Sequence, residues 1–523
     1  MVDVLLFSDS ADRKHWFRGI GAYRLASEIR NQGYSCQVLD FCGFYNYEDW
    51  AKLVDLYVDQ NTQIIGISSS WIAMPHLVSG RYTSIVEGKG KETYTIDNIY
   101  DQSFSAALTF NKEDKFIKRL KEKSPNVKLI IGGGKAIDYL DREWVDHLFL
   151  GFSESQLIDY LKNFKEKEYP KIINWDVESS KNWDFSCSGY IKYTETDFIM
   201  PNETLPLEIG RGCIFKCKFC SFPLLGKKKG SYIKDPAVLY EEFMENYNKW
   251  QVTNYILSDE TFNDNMDKLY ALRDVIKRLP FKPSFWAFCR LELVGNFPEQ
   301  VELLKDIGLK EMQYGIESLN DQTSKAIGKG LAGNKKKEIL KFAKSVWKDD
   351  IKIKANFIIG LPYETVDSIR EAAEWVLSDD CTVDYVSMSP YLLYKRNETA
   401  EYRWNSVFGL EYEKWGYYYK DSDNDPMHWF KDDNTGIDSY LTAVSLSRDW
   451  QNKISKRNDP TEMFYYSNDL WYNLSLDQLL KIKYDKIFQM PAYVNHKDEL
   501  FKQINEKYVS QHLNFFKTPI LKF

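Results

Sequence analysis

The chain has 523 residues, enough for two or three domains of ordinary size, and its 44% hydrophobic and 15% aromatic content is ample for packed cores. A formal net charge of −7 argues against a protein built around nucleic-acid backbones. No stretch approaches eighteen uninterrupted apolar residues, so no membrane-spanning helix is expected, and the opening Met1–Asp9 lacks the basic residues and cleavage site of a signal peptide.

In chain order, Val2–Ser8 is an apolar run suited to a buried parallel strand. A helical pattern follows over Gly21–Gln32 and stops at Gly33. Further strands are expected at Ser35–Phe41, Gln63–Ser69, Lys128–Ile131 and His147–Gly151, with a helix over Glu154–Lys162. Such alternation predicts an α/β domain over residues 1–165, a doubly wound parallel sheet of the Rossmann-like kind with ligands at the C-terminal strand edge.

Residues 166–204 mix charges, tryptophan and short turns and read as a connection. Strands are then expected at Leu205–Gly210, Asn254–Ser258, Phe285–Arg290, Glu311–Glu317, Lys354–Ile359 and Asp384–Met388. The clearest helix is Pro236–Trp250, with Asp235 as N-cap and proline at the first helical position. Six strand–helix units over 205–398 predict a partial (β/α)6 barrel with its chemistry at the C-terminal strand ends. From 399 to 523 the chain is aromatic-rich, with helical periodicity over Ser475–Met490 and Lys497–Asn514. This reads as a mostly helical third domain, whose aromatics form either its own core or a substrate channel.

Cys213, Cys217 and Cys220 follow the first barrel strand in the spacing C-x-x-x-C-x-x-C. Three thiolates in one tight loop can each bind a different iron. A [4Fe–4S] cluster normally takes four cysteines, and no fourth lies nearby, so one iron is left open for a small molecule. A zinc knuckle is the alternative, but zinc prefers paired C-x-x-C arms or added histidines, and no histidine lies between His147 and His428. Three cysteines committed to a cluster require a reducing compartment, which points to the cytoplasm.

The cysteine segment closely resembles the radical SAM superfamily, including the aromatic Phe219 just before the third cysteine. The resemblance implies a [4Fe–4S] cluster on Cys213, Cys217 and Cys220, S-adenosylmethionine on the open iron, and a reducing partner such as flavodoxin or ferredoxin. Asp259 and Glu260 resemble the family's acidic strand end that faces the ammonium or ribose, although such a carboxylate can equally cap the next helix. Glu317 and Ser318 sit in the family's Gly-Ile-Glu-Ser, where the glutamate faces the ribose or methionine end. Gly360, Leu361 and Pro362 match the segment whose backbone packs on the adenine. Arg290 matches an arginine found in the cobalamin-type subgroup and is expected to hold a carboxylate, with a structural salt bridge as the alternative. Cys289 beside it is a weak hydrogen-atom donor because strand parity turns it the other way, and Cys381 near the sixth strand is no better. The basic loop Gly226–Gly230 is either a solvated turn or a contact for an acidic substrate.

The first domain resembles the cobalamin-binding Rossmann domain of one radical SAM subgroup. The matching features are Ser68 and Ser69 closing the third strand, the triple glycine Gly132, Gly133 and Gly134, and Gly151-Phe-Ser-Glu154. Two features depart from it. The D-x-H-x-x-G motif is approached only by Asp12…His15, one residue too wide, and an insertion runs from Trp71 to Thr109 over the edge where a corrin would rest. Bound cobalamin and a cobalamin-free scaffold therefore both stand. With cobalamin, the resemblance implies methylation of an unactivated carbon in a small-molecule or peptide substrate. Without it, the radical chemistry would be epimerisation, cyclisation or rearrangement. An iron–sulfur redox sensor or binding protein is the non-enzymatic alternative. No membrane or nucleic-acid partner is expected.

Overall fold

The computed structural model describes residues 1–9, 18–70, 104–109, 112–174, 185–199, 203–220, 232–393, 406–420, 428–432, 434–454, 457 and 509–515. Asp12…His15, Gly226–Gly230, Ser475–Met490 and most of Trp71–Thr109 and Lys497–Asn514 lie outside these residues.

Strand β1 (Val4–Phe7) is buried at every position, as expected of a parallel strand covered on both faces. Its side chains alternate between two cores. Leu5 and Phe7 enter a core with Trp50 and Phe116, whereas Val4 and Leu6 enter one that continues into the second sheet. The other strands of this sheet are β2 (Cys36–Leu39), β3 (Ile64–Ser68), β4 (Lys128–Gly132), β5 (His147–Leu150) and β6 (Ile172–Asn174). Their order is β2-β1-β3-β4-β5-β6 and every pairing is parallel. The order reverses between β1 and β3, which places the crevice of a doubly wound sheet at their C-terminal ends. Strand β6 falls in the stretch read as a connection; three residues with no alternating pattern carry no periodic signal.

Helix α1 (Ile20–Asn31) lies between this sheet and the rest of the molecule, as does α5 (Glu154–Asn163). Helices α2 (Tyr47–Tyr57), α3 (Phe104–Thr109) and α4 (Asp114–Lys123) cover the other face. Arg18, wholly buried, fastens the start of α1 to the connection through Glu203 at 2.6 Å and the carbonyl of Asp197 at 2.8 Å.

The second sheet runs in strict chain order: β7 (Thr204–Leu207), β8 (Asn254–Leu257), β9 (Ser284–Cys289), β10 (Leu309–Glu317), β11 (Lys352–Ile359) and β12 (Tyr385–Pro390). All its pairings are parallel. Sequential right-handed units curl such a sheet, and alternation separates its faces. On β11, Ile353, Ala355, Phe357 and Ile359 are buried toward the helices, and the residues between them are partly exposed. Helix α6 (Pro236–Trp250) begins and ends where the sequence places it, with the Asp235 carboxylate accepting from the Ala237 N–H at 2.7 Å.

Beyond the sheet, α7 (Tyr440–Ile454) lies along the edge strand β12. Ser447 donates to the Met388 carbonyl at 2.7 Å, and Gln451 accepts from the Met388 N–H at 2.8 Å. The side chains thereby satisfy backbone groups that an open edge would leave bare. Residues 509–515 return to the first domain, where Val509 enters its core and Tyr57 Oη lies 2.5 Å from His512 Nδ1.

Candidate active site

The cysteine loop is built by backbone constraints on both sides. After β7, Gly210 bridges Ile233, and the Arg211 N–H donates to the Tyr232 carbonyl at 2.9 Å. Gly212 then turns the chain with φ +77°, a conformation that favours glycine. The Lys218 N–H donates to Ile327 O, and Lys218 O accepts from the Phe408 N–H, both at 3.0 Å. Cys213, Cys217 and Cys220 are all partly exposed and all border one cavity of roughly 960 Å³. Among the described residues no three His, Cys, Asp or Glu side chains converge to hold a single metal ion. Three thiols spread around a loop instead suit a cluster, in which each binds a different iron.

The opposite wall of the cavity is the C-terminal edge of the first sheet. Ser68, Gly132, Gly133 and Gly134 border it. Gly133 has φ +103°, and an added Cβ would stand 2.9 Å from Ser70 Oγ, so the turn requires glycine. Ser69 does not border the cavity; its hydroxyl donates to Gly132 O at 2.8 Å and accepts from the Lys135 N–H at 3.2 Å, bracing the glycine turn. The two walls are joined by Arg211, a residue that sequence reasoning missed. Its guanidinium donates to Glu154 at 2.6 Å and bidentately to Glu208 at 2.9 Å, and lies 4.5 Å over the Phe152 ring. Its place two residues before the first cysteine was the available signal.

Within the second sheet the acids separate by role. Glu260 and Glu317 border the cavity. Glu317 has φ +62° and pairs with Lys329 at 3.0 Å, in space that a side chain at Gly315 would fill. Asp259 does not reach the cavity. It accepts from the Ile209 N–H at 3.0 Å and pairs with buried Lys268 at 3.3 Å, and burial holds its carboxyl above the usual range. It braces the root of the cysteine loop.

Phe219 borders the cavity, whereas Ser318, Gly360, Leu361 and Pro362 lie behind its wall. Ser318 donates to Glu364 at 2.8 Å, and the same carboxylate accepts from the Gly360 N–H at 3.1 Å. Gly360 has φ +100° and presents its Cα to Trp429, while its carbonyl accepts from Tyr417 Oη at 2.6 Å. The aromatic C-terminal segment thus covers the Gly-Leu-Pro turn.

Arg290 borders the cavity and donates from Nη1 to Cys217 Sγ at 2.9 Å, with Glu292 3.4 Å from Nε. Cys289 touches the same wall, although it has the strand parity of buried Phe285 and Ala287, and burial pushes its thiol up. Cys381 is buried away from the cavity. Trp286, Phe288, Gln313, Lys354 and Asn356, on alternating positions of β9 to β11, line the inner wall and carry no motif in the sequence.

Residues 207–376 match the radical SAM superfamily. Over 298 residues the chain is 24% identical to the bacteriochlorophyllide d C-8(2)-methyltransferase of Chlorobaculum tepidum, spanning 54% of this chain and only 63% of that protein. An uncharacterised methyltransferase of Pyrococcus horikoshii is 23% identical over 391 residues, 73% of this chain and 78% of its own. The solved structure of the methyltransferase TsrM from Kitasatospora setae, with cobalamin and a [4Fe–4S] cluster bound, aligns at a TM-score of 0.57 and 12% identity, covering 97% of this chain and 100% of that one. OxsB with aqua-cobalamin and S-adenosylmethionine bound aligns at 0.50 and 13% identity, over 79% of this chain and 56% of its own. At such identities the structural likeness is one of fold. The family match and the cysteine loop together define a radical SAM domain, a class that implies a [4Fe–4S] cluster and S-adenosylmethionine. The chain carries a radical SAM domain over residues 207–376, preceded by a Rossmann-like first domain. No helix among the described residues is long and apolar enough to cross a membrane.

Proposed function

We propose that this enzyme methylates an unactivated carbon of a small-molecule or peptide substrate, using S-adenosylmethionine, a [4Fe–4S] cluster and cobalamin. One observation carries the reading: a single cavity joins the three cysteines to Ser68 and Gly132–Gly134 at the first sheet's ligand edge. The donor set fits the cluster, with three thiols on a loop held at both ends and an arginine N–H already on one sulfur. The edge of the first sheet fits a flat group, because Gly132, Gly133 and Gly134 border the cavity with no side chain to project into it.

The cluster supplies the electron that cleaves S-adenosylmethionine, and cobalamin supplies a methyl group to the activated carbon. The chain's own residues bind and orient. Cys213, Cys217 and Cys220 would hold the cluster irons, with Phe219 lining the same cavity. Glu260 would hold the ammonium or ribose of S-adenosylmethionine, and Glu317 its ribose or methionine end, since both border the cavity. Ser318 and Gly360–Pro362 act from behind, by fixing the strand ends that present Glu317. Trp286, Phe288, Gln313, Lys354 and Asn356 form the substrate wall, and closure by both domains excludes water. A cluster of this kind persists in a reducing compartment such as the cytoplasm, where a flavodoxin or ferredoxin is the matching electron donor.

The test is anaerobic reconstitution with iron, sulfide and hydroxocobalamin, followed by desalting and an absorbance spectrum. Cluster absorption with retained corrin bands supports methyl transfer. Cluster absorption without corrin overturns it and makes the first domain a scaffold for epimerisation, cyclisation or rearrangement.

A further inference from the structure

Arg290 is held from several sides by the protein itself. Its backbone is pinned by buried Asn263, which accepts from the Arg290 N–H at 2.8 Å and donates to its carbonyl at 3.0 Å. Asn263 is in turn locked to Gln300 by two further bonds of 2.9 and 3.1 Å. The guanidinium lies 4.0 Å over the Phe215 ring of the cysteine loop, and Nη1 reaches Cys217 Sγ. The residue as a whole is only 8% exposed.

We infer that Arg290 sets the reduction potential of the cluster by donating a charged hydrogen bond to the Cys217 sulfur, with Glu292 as the counter-charge that limits the effect. The inference rests on the cluster occupying the three cysteines. Adding one electron makes the cluster and its thiolates more negative. A fixed positive charge and an N–H aimed at a ligating sulfur stabilise that state more than the oxidised one, so the potential rises. Burial strengthens the effect because little water screens it. The planar fork suits this role: one edge serves the sulfur while the face rests on Phe215, an arrangement that a lysine cannot copy. Arg290 is therefore a positioning and tuning residue, acting through Cys217.

The experiment is a redox titration of the reconstituted full-length protein, without S-adenosylmethionine or cobalamin, following the reduced cluster by electron paramagnetic resonance. Titanium(III) citrate gives up one electron to each cluster and is oxidised to titanium(IV). With iron and sulfide content equal to the parent, Arg290→Gln should make reduction about tenfold less favourable, a shift of about 59 mV for one electron. Arg290→Lys should fall between the two, and Glu292→Gln should shift the potential upward. If Arg290→Gln fails to retain a cluster, Glu292→Gln decides, since it leaves the donor in place. An unmoved midpoint in the variants that hold cluster overturns the inference. An unmoved midpoint together with weakened S-adenosylmethionine binding in a separate calorimetric titration overturns it in favour of Arg290 holding a ligand carboxylate. Because neither cosubstrate is present, a failure of the cobalamin reading leaves this result standing.

Discussion

Glu364 sits fully inside the protein between Ser318 and Gly360, and burial pushes its carboxyl up to about 7 from 4.5. Two donors, the Ser318 hydroxyl and the Gly360 N–H, only partly offset that burial. The folded chain therefore holds a proton on this group more tightly than the unfolded chain does. Its stabilising contribution is complete below about pH 4.5 and is lost as the pH rises toward 7. The size is on the order of 3–4 kcal/mol, since each tenfold change in proton affinity corresponds to about 1.4 kcal/mol. Glu364→Gln keeps the shape, can still accept from Gly360 and can donate to Ser318, and carries no charge. Thermal melts between pH 4.5 and 7 should show a flatter stability profile for the variant than for the parent. Parallel profiles would mean that Glu364 does not titrate in that window. At the cysteines the expectation is simpler. Replacing Cys217 by Ser should abolish most bound iron and acid-labile sulfide, measured after reconstitution, because a three-thiolate site has no spare ligand.

At the scale of elements, periodicity and caps carried most of the fold. The six strands of the second sheet lie within a few residues of their expected places, since each is an apolar run or an apolar–polar alternation, as on β10 and β11. Helix α6 was legible to the residue because Asp235 and Pro236 mark its start. The site was legible where chemistry is local in sequence, as at the cysteines, and less so where tertiary packing decides. Asp259 and Glu260 are neighbours with similar side chains, yet the turn after β8 sends one to a buried lysine and the other to the cavity. The covering of Gly360 by Trp429 joins residues far apart in the chain, which no local pattern encodes. That contact makes a prediction. Trp429 is fully buried and its indole N–H donates to Tyr391 O at 2.9 Å. Trp429→Ala should cost about 3–5 kcal/mol in unfolding measurements. It should also weaken S-adenosylmethionine binding in calorimetry, because the Gly-Leu-Pro turn loses its backing. Unchanged binding alongside the lost stability would confine Trp429 to packing.

For the whole molecule, the question is what keeps two sheets in register across a cavity. The apolar core that contains Val4 and Leu6 also contains Leu205 and Ala287, so the first domain and the barrel share one interior. Apolar contact is non-directional, however, and does not fix one orientation. Ionic contacts do. Arg211 at the root of the cysteine loop joins Glu208, just past the end of β7, to Glu154 at the start of α5, and Arg24 of α1 lies 3.9 Å from the same glutamate. Arg211 and Glu154 are both more than nine-tenths buried, where an unpaired charge is costly. Removing either partner by Glu154→Ala or Arg211→Met should therefore destabilise the protein by about 3–5 kcal/mol. The double variant should cost less than the sum, because it leaves no orphaned partner across the pair, and a coupling of about 1–3 kcal/mol is expected from the full cycle. Denaturant unfolding of all four proteins, each with its bound iron determined, measures this coupling directly. Strictly additive losses would show that the Arg211–Glu154 pair does not couple the two domains, and that Arg211 serves only its own loop.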